Sequence, residues 1–332
     1  MKLIKLTILI FSIALLQSCN EIEEASQQSS TGGVNEILVV TNNVQQWKGE
    51  IGDSIRSNFS RTMEVLPLEE PQFKMVNVNE ASLGKMLFKK HHNIFIVNVD
   101  PEIKEAYVES RADLWAKPQM VIKINAPNIH EFLISFEEIR ENTYDLFINV
   151  ERKRIQDSYS NKFKSQEINR SLHKYMQLDM AIPKGYKTAK IDSSNAWIRK
   201  ETAANSMDIL IYVRPYKSTN DFNPEKIKKR RNGLTRTYIP GPTEGSYQLI
   251  SDEYIEPVFT ELSFNDLFAV ETRGLWKVKN DFMGGPFISY TFVDEKRNRL
   301  ITIDGFTYAP KQKKAPLVRE LEAILWSVKI LD

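Results

Sequence analysis

The strongest charge feature of this sequence is the segment from residue 226 to residue 236. It holds six cations in eleven residues. Guanidinium and ammonium groups at this density could hold a phosphate, an anionic lipid headgroup or a sulfated glycan. The alternative is a solvated helix end or loop whose charge is balanced elsewhere by acids. Prolines and glycines at 240–245 follow directly, so the run leads into a mobile loop. The candidate anion-binding residues are Lys228, Lys229, Arg230, Arg231 and Arg236.

A second candidate is the segment Met283-Gly284-Gly285-Pro286-Phe287. Glycines permit close approach of the backbone, which predicts a cleft edge beside Trp276 that could hold a peptide or a sugar. The alternative is a bend that leads into the next strand, with Trp276 in the core.

Familiar catalytic patterns do not occur in the sequence. A nucleophile elbow, a phosphate-binding glycine loop, a zinc-binding helix motif and a dinucleotide fingerprint are missing. His91 and His92 directly precede a predicted strand, which favours a loop or strand-entry role over a metal site. His130 and His173 fall in helical stretches without further ligands at metal-binding spacing. We therefore predict no catalytic residue, no cofactor and no metal site, although a carboxylate pair that meets only in space would escape this reasoning.

The only cysteine, Cys19, ends a segment that looks like an export signal. Two lysines precede an apolar core over residues 6–16, which is too short to cross a bilayer. Leu16, Ser18 and Cys19 stand in the spacing that resembles the lipobox of bacterial lipoproteins. This resemblance implies that the thiol accepts a diacylglycerol, that residues 1–18 are cleaved off and that the new amine is acylated. Such lipids anchor a protein without a transmembrane helix. The alternative is an ordinary secretory peptide, or a buried anchor, with an incidental cysteine.

Charge and cysteine usage narrow the function classes. The chain has 45 basic and 43 acidic residues, with a formal net charge of +2. Cleavage before Cys19 would remove two lysines and leave equal numbers of each sign. A neutral, exported protein has no global field that favours nucleic acid, so we expect no nucleic-acid partner. Because the lipid would occupy the only thiol, stability must come from packing without disulfides.

Residues 19–34 form a polar segment with an acidic cluster at its start. Few apolar groups are present to offset the entropy of ordering, so this segment is predicted to be a flexible tether. The acidic residues after the cysteine are also similar to the surface-export signals of Bacteroidota lipoproteins. Ordinary disorder and a sorting signal both remain open.

Residues 35–177 predict an α/β domain with a mainly parallel sheet. Continuous apolar runs mark strands that are buried on both faces, and helical stripes alternate with them. One of these helices is predicted over residues 81–90, with Leu83, Met86 and Leu87 facing inward. A long helical region from about residue 128 to residue 176 ends this domain. The predicted strands are Glu36–Thr41, Phe73–Val78, Asn93–Val99 and Met120–Ile124.

Residues 178–332 predict an α+β domain. Short strands with proline and glycine punctuation follow one another, and a final helix begins at Ala315-Pro316. Strands in sequence that are followed by one helix favour an antiparallel sheet packed by that helix.

Three segments resemble an uncharacterised Bacteroidota lipoprotein family. They are Trp115-Ala116-Lys117-Pro118-Gln119, Gly284-Gly285-Pro286-Phe287 and Asp304-Gly305-Phe306-Thr307-Tyr308-Ala309-Pro310. The likeness extends from Glu36 to near the C-terminus. Because the family is a domain of unknown function, it implies a location and an extent but no catalytic residues. The C-terminal half is also similar in pattern to small antiparallel-sheet domains of the photosystem-associated PsbP type, which bind partners.

Two hypotheses follow. The first is a lipoprotein anchored in the outer membrane through Cys19, on its periplasmic or its surface face. It would bind an envelope protein or an anionic glycan without catalysis. The second is a hydrolase that acts on envelope polymers or glycans. A pocket with two converging carboxylates of shifted pKa would favour the hydrolase.

Overall fold

The computed structural model describes residues 28–160 and 163–332. The predicted signal peptide, Cys19 and residues 19–27 of the predicted tether lie outside the described residues. Contacts divide the described chain into two compact units, of which the first contains residues 28–59 and 73–147. The second contains residues 60–72 and the remainder from residue 148 onward.

The first unit is built on a five-stranded sheet of order β2-β1-β3-β5-β4. Four strands are parallel, and β4 pairs antiparallel with β5 at the edge. The strands are β1 (Glu36–Thr41), β2 (Lys74–Asn79), β3 (Asn93–Val99), β4 (Tyr107–Ala112) and β5 (Met120–Ala126). The helices are α1 (Val44–Lys48), α2 (Glu50–Phe59), α3 (Glu80–Leu83), α4 (Met86–Lys89) and the first part of α5 (Ile129–Tyr159).

Both faces of this sheet are covered. Leu38 and Val40 of β1 belong to an aliphatic cluster on one face. On the other face, the ring of Phe95 lies 5.5 Å from that of Phe59 and 5.6 Å from that of Phe136. A strand between two such layers must be apolar at nearly every position, which is why β1 and β3 read as unbroken apolar runs.

The chain passes from the first unit to the second within α5, between Phe147 and Ile148. The domain boundary that we predicted after residue 177 stays a prediction, because a division by contacts does not test independent folding.

The second unit is built on an eight-stranded antiparallel sheet of order β10-β12-β13-β14-β9-β8-β7, with β11 also paired to β12. A small two-stranded sheet joins β6 (Leu178–Asp179) to β15 (Lys329–Ile330). The strands of the large sheet are β7 (Lys187–Ile191), β8 (Asn195–Glu201), β9 (Ser206–Pro215), β10 (Gln248–Ser251), β11 (Val258–Phe264), β12 (Leu267–Val278), β13 (Gly284–Asp294) and β14 (Arg299–Tyr308). The helices are α6 (Gln166–Met176), α7 (Pro224–Tyr238) and α8 (Ala315–Trp326).

Strand alternation gives the large sheet two buried faces. In β14, Ile301 and Ile303 belong to the cluster that α6 and α8 cover. Phe306 belongs to the cluster that α7 covers. Gly305 allows α8 to approach closely, because a Cβ at this position would lie 3.1 Å from Cβ of Leu321. Helices therefore pack on both sides of the sheet.

The predicted fold class is confirmed. The N-terminal region has a sheet of mostly parallel strands with helices, and the C-terminal region has an antiparallel sheet and a final helix. Among the described residues, no helix is long and apolar enough to cross a membrane.

Candidate functional site

Helix α7 carries the predicted basic segment and turns one of its cations into the core. The helix begins after Asn223, whose side chain accepts a hydrogen bond from the backbone of Glu225. Its buried positions are Ile227, Arg231, Leu234 and Thr235. This spacing is that of a helix face packed on a sheet, with an arginine at a core position.

Arg231 forms a buried ion pair with Asp304 of β14. Nε donates to Oδ2 at 2.7 Å and Nη2 donates to Oδ1 at 3.3 Å. The guanidinium carbon also lies 3.8 Å from the centre of the Phe287 ring. Both charged side chains are at most 1 % exposed. Burial raises the pKa of Asp304, and the arginine charge opposes this effect. Arg231 is therefore a structural residue that a ligand at the surface does not reach.

The other four predicted cations lie in different surroundings. Arg230 donates to the backbone carbonyl of Asp221. Lys228 pairs with Glu225 at 2.6 Å. Lys229 and Arg236 are exposed. The Arg236 guanidinium lies 5.0 Å from the ring centre of Tyr247. Arg231, by contrast, is inside the core. Anion binding by this set stays a prediction, and the structure does not gather its five members at one surface.

The segment around Gly285 and Trp276 serves packing. Trp276 is 3 % exposed, and its ring lies 5.6 Å from that of Phe306. A Cβ at Gly285 would lie 2.1 Å from the carbonyl oxygen of Thr307, so only glycine fits beside β14. Trp276 thus lies in the core, as the alternative interpretation predicts.

His91 and His92 make polar contacts at the entry to β3. His91 bonds Glu36 through Nε2 at 3.0 Å, at the entry to β3. Burial raises the pKa of Glu36, but the bonds from His91 and Lys74 outweigh it and hold the pKa below its usual value. His92 Nδ1 lies 2.7 Å from the hydroxyl of Ser30. Among residues 28–160 and 163–332, no group of three or more histidine, cysteine or acidic side chains is placed to hold a metal ion.

Two carboxylates with raised pKa values, Asp208 and Asp304, lie on adjacent strands. Burial raises the pKa of Asp208 to about 6, and hydrogen bonding from Trp197 opposes this rise. The Trp197 Nε1 donates to Asp208 at 2.9 Å, and Arg199 approaches at 3.3 Å. Since both carboxylates are at most 1 % exposed, a polymer substrate cannot reach them. They do not form the open carboxylate pair that the hydrolase hypothesis requires.

A ligand-sized cleft lies on the other face of the large sheet, and we call it the Trp326 cleft. Its volume is about 830 Å³. It is bordered by the end of α5, the start of α6, the two-stranded sheet and the turn between β11 and β12. Its apolar floor includes the partly exposed side chains of Leu267 and Trp326, with the fully buried rings of Phe264 and Phe292 beneath them.

Charges of both signs form the rim of the Trp326 cleft. Lys153 pairs with Asp157 at 2.6 Å, and Lys164 pairs with Asp179 at 2.6 Å. Burial raises the pKa of Asp179, but hydrogen bonds from Lys164 and from His173 outweigh it and lower the pKa. These local pairs leave the rim polar without a strong field of one sign.

Buried polar contacts hold the floor of the cleft in place. The indole nitrogen of Trp326 donates to the hydroxyl of Tyr290 at 2.9 Å, and this hydroxyl donates to Glu271 at 2.7 Å. The guanidinium of Arg152 stacks 4.0 Å from the Trp326 ring and pairs with Glu322 at 2.8 Å. Burial raises the pKa of Glu322, but the charges of neighbouring arginines outweigh the effect of burial and hold this pKa well below its usual value. The cleft is therefore preformed.

Sequence reasoning missed the Trp326 cleft. Its lining comes from segments that extend from Lys153 to Ile330, which meet only after folding. Trp326 itself reads as the last apolar position of a helix, a pattern typical of core residues. No local signal distinguishes it from the other aromatic residues of the core.

The buried charge of Asp208 predicts a pH-dependent stability. Its folded pKa is raised, so its contribution favours folding at low pH and is lost as the pH rises from about 4 through about 6. We expect Asp208→Asn to raise the free energy of unfolding at pH 7.5 by on the order of 1 kcal/mol, because the amide keeps an acceptor for Trp197 without a buried charge. The gain should shrink at pH 4.5 in urea unfolding.

The control for this prediction is the exposed Asp252→Asn, which should change stability little at either pH. An Asp208→Asn effect of the same size at both pH values would contradict the assignment.

Two family models match the chain. Residues 30–160 match a domain of unknown function (DUF8532), and residues 165–327 match another domain of unknown function (DUF4837). No curated protein matches the chain at a significant level.

Solved structures show only distant likeness. The Ran-binding protein Mog1p of Saccharomyces cerevisiae has 9 % identity and a TM-score of 0.31, over 47 % of this chain and 91 % of its own. LpqN of Mycobacterium tuberculosis, described as involved in cell envelope biogenesis, has 13 % identity and a TM-score of 0.29, over 47 % and 83 %. The human StarD13 lipid transfer and protein localization domain has 9 % identity and a TM-score of 0.23, over 50 % and 96 %. TM-scores this low do not establish a shared fold or function. What the comparisons establish is that most of the chain is covered by two domains of unknown function.

Proposed function

We propose that this protein is a lipid-anchored component of the bacterial cell envelope. It is held in the outer membrane by acylated Cys19, and its C-terminal unit binds a protein partner without catalysing a reaction. The Trp326 cleft is the observation that carries the binding role. The sequence pattern around Cys19 supports the anchor.

The floor of the Trp326 cleft supports binding of an apolar side chain. An apolar group that enters the cleft is removed from water, which contributes about 25 cal/mol per Å² of buried apolar surface. The floor needs little rearrangement, because Trp326 is already fixed by Tyr290 and Arg152. A preformed site avoids the cost of ordering its side chains on binding.

The rim of the cleft favours a peptide over a polyanion. Lys153 and Lys164 are each neutralised by an aspartate at 2.6 Å. An anionic glycan would have to displace these carboxylates, whereas a peptide with mixed polar groups can bond to both signs. We therefore assign the cleft to a segment of an envelope protein.

The anchor predicts lipid labelling that depends on Cys19. Cells that express the full chain are grown with an alkyne analogue of palmitate, and the purified protein is probed for the label. We expect the natural chain to be labelled and Cys19→Ala to lose the label. The thiol of Cys19 accepts the lipid, and cleavage of the signal peptide depends on this cysteine. The matched control Ser26→Ala should label fully.

Labelling that persists in Cys19→Ala, or that does not occur in the natural chain, would contradict the anchor.

The binding role predicts site-specific crosslinking in cells. A photoreactive amino acid at Asp266 or Lys329, which line the cleft, should give a discrete adduct with one protein. The same group at the exposed Glu105 of the first unit is the control. When Gln166→Trp, which narrows the rim, is combined with either cleft position, the yield of the adduct should fall at least fivefold.

Adducts of equal yield from Glu105, or cleft adducts that Gln166→Trp leaves unchanged, would exclude the Trp326 cleft as the binding site.

A further inference from the structure

One end of the eight-stranded sheet presents a projecting aromatic side chain beside lysines. The turn at 279–283 joins β12 to β13, and the loop at 309–314 leads from β14 to α8. Because these strands are antiparallel and Phe287 pairs with Phe306, the turn and the loop leave the sheet at the same end. We call residues 279–283 and 309–314 the strand-end surface.

The side chains of the strand-end surface have unused binding capacity. Phe282 is fully exposed at the tip of its turn. Lys311 and Lys313 are exposed, and neither forms an ion pair within the part of the chain that the structure describes. Lys279 is exposed, and its ammonium nitrogen lies 5.6 Å from the ring centre of Tyr247.

The acids nearby do not cancel this charge. Asp281 lies in the same turn, where its Oδ1 accepts a hydrogen bond from the backbone of Met283 at 2.8 Å. Glu201 belongs to the neighbouring end of β8 and is paired with Arg199 at 3.2 Å. Residues 279–283 and 309–314 hold four lysines and one aspartate, so the surface has a net positive charge. Three of these lysines are exposed, and the fourth, Lys314, is partly buried and donates to the carbonyl oxygen of Gln312.

We propose that the strand-end surface rests on an anionic lipid bilayer, with Phe282 in the headgroup region and the lysines on lipid phosphates. An aromatic ring flanked by lysines is the arrangement that suits a bilayer interface, where the ring is partly dehydrated and each cation is attracted to the surface. This inference rests on the proposed lipid anchor, which would keep the unit close to a bilayer.

The shape of the surface favours a bilayer over a protein. Phe282 projects from a turn at the border of an open groove that it shares with Tyr247 and Lys279, and its side chain stays fully exposed. A fluid interface accepts such a projecting side chain without a complementary pocket. The attraction of one ring and three lysines is weak by itself. A protein already tethered to the bilayer needs only weak contacts, since the tether raises the local concentration of the surface.

The single cysteine allows a direct test. In the lipidated protein the thiol of Cys19 carries the diacylglycerol group, so Phe282→Cys introduces the only free thiol. The variant is reconstituted into phosphatidylglycerol–phosphatidylcholine vesicles, and a nitroxide on residue 282 is exposed to oxygen and to a water-soluble nickel chelate. We expect the ratio of the nitroxide's accessibility to oxygen to its accessibility to the nickel chelate to be at least threefold higher in vesicles than in detergent. The control is Lys296→Cys at the opposite end of β13.

A second measurement keeps Phe282 in place. The rates of lysine acetylation are compared in the unlabelled lipidated protein, in vesicles and in detergent. We expect Lys311 and Lys313 to be protected at least threefold in vesicles that contain phosphatidylglycerol, and Lys296 to change little. The triple variant Lys279→Glu, Lys311→Glu, Lys313→Glu should lose the immersion of the label at residue 282.

Each outcome decides between the claims. Protein that floats with the vesicles but shows the same accessibility at residues 282 and 296 would overturn the inference and leave the anchor intact. Protection of equal size in pure phosphatidylcholine would overturn the role of the anionic lipids. Protein that does not float with the vesicles would remove the anchor, and the inference with it. Lysine protection in cells but not on vesicles would identify a different occupant and overturn the proposal.

Discussion

The ion pair between Arg231 and Asp304 fixes the relation of α7 to the large sheet. Asp304 stands in the centre of the sheet on β14, and both partners are at most 1 % exposed. An arginine at a core position of a helix can be buried only where a carboxylate meets it, because an unpaired buried charge is strongly unfavourable. The pair therefore sets which face of α7 lies inward, and with it which of the cations in the basic segment remain at the surface.

The burial of each element determines which parts of the fold the sequence could predict. Strands β1 and β3 lie between two covered faces, so their sequences are unbroken apolar runs that identify them directly. Strand β4 went unpredicted because it is an exposed edge strand without an apolar pattern. The prediction that Met86 and Leu87 face inward was wrong, since their side chains are 54 % and 71 % exposed. The chain forms two short helices separated by Gly84 and Lys85 instead of one continuous helix. In α7, a charged residue occupies a core position, which no hydrophobic pattern can reveal.

Folding is also what forms the two surfaces that we assign to binding. The Trp326 cleft is assembled from segments far apart in the sequence, so only folding brings its aromatic floor and its paired charges together. The strand-end surface depends on strand register, which places the loop that carries Lys311 beside the turn that carries Phe282. The basic segment, the most visible charge feature of the sequence, instead contributes its central arginine to the core. A high density of charge along the sequence therefore does not locate a ligand site, because the fold decides which of the charged side chains reach the surface.

A double-mutant cycle on Arg231 and Asp304 tests this account most directly. Urea unfolding is measured for Arg231→Met, Asp304→Leu and the double variant, with the exposed Arg236→Met as the control. We predict that each single change lowers the free energy of unfolding by about 3–5 kcal/mol, because it leaves a buried charge without its partner. The double variant should lose less unfolding free energy than the sum of the losses in the two single variants. Additive losses, or an Arg231→Met effect as small as that of Arg236→Met, would show that the pair does not hold α7 on the sheet.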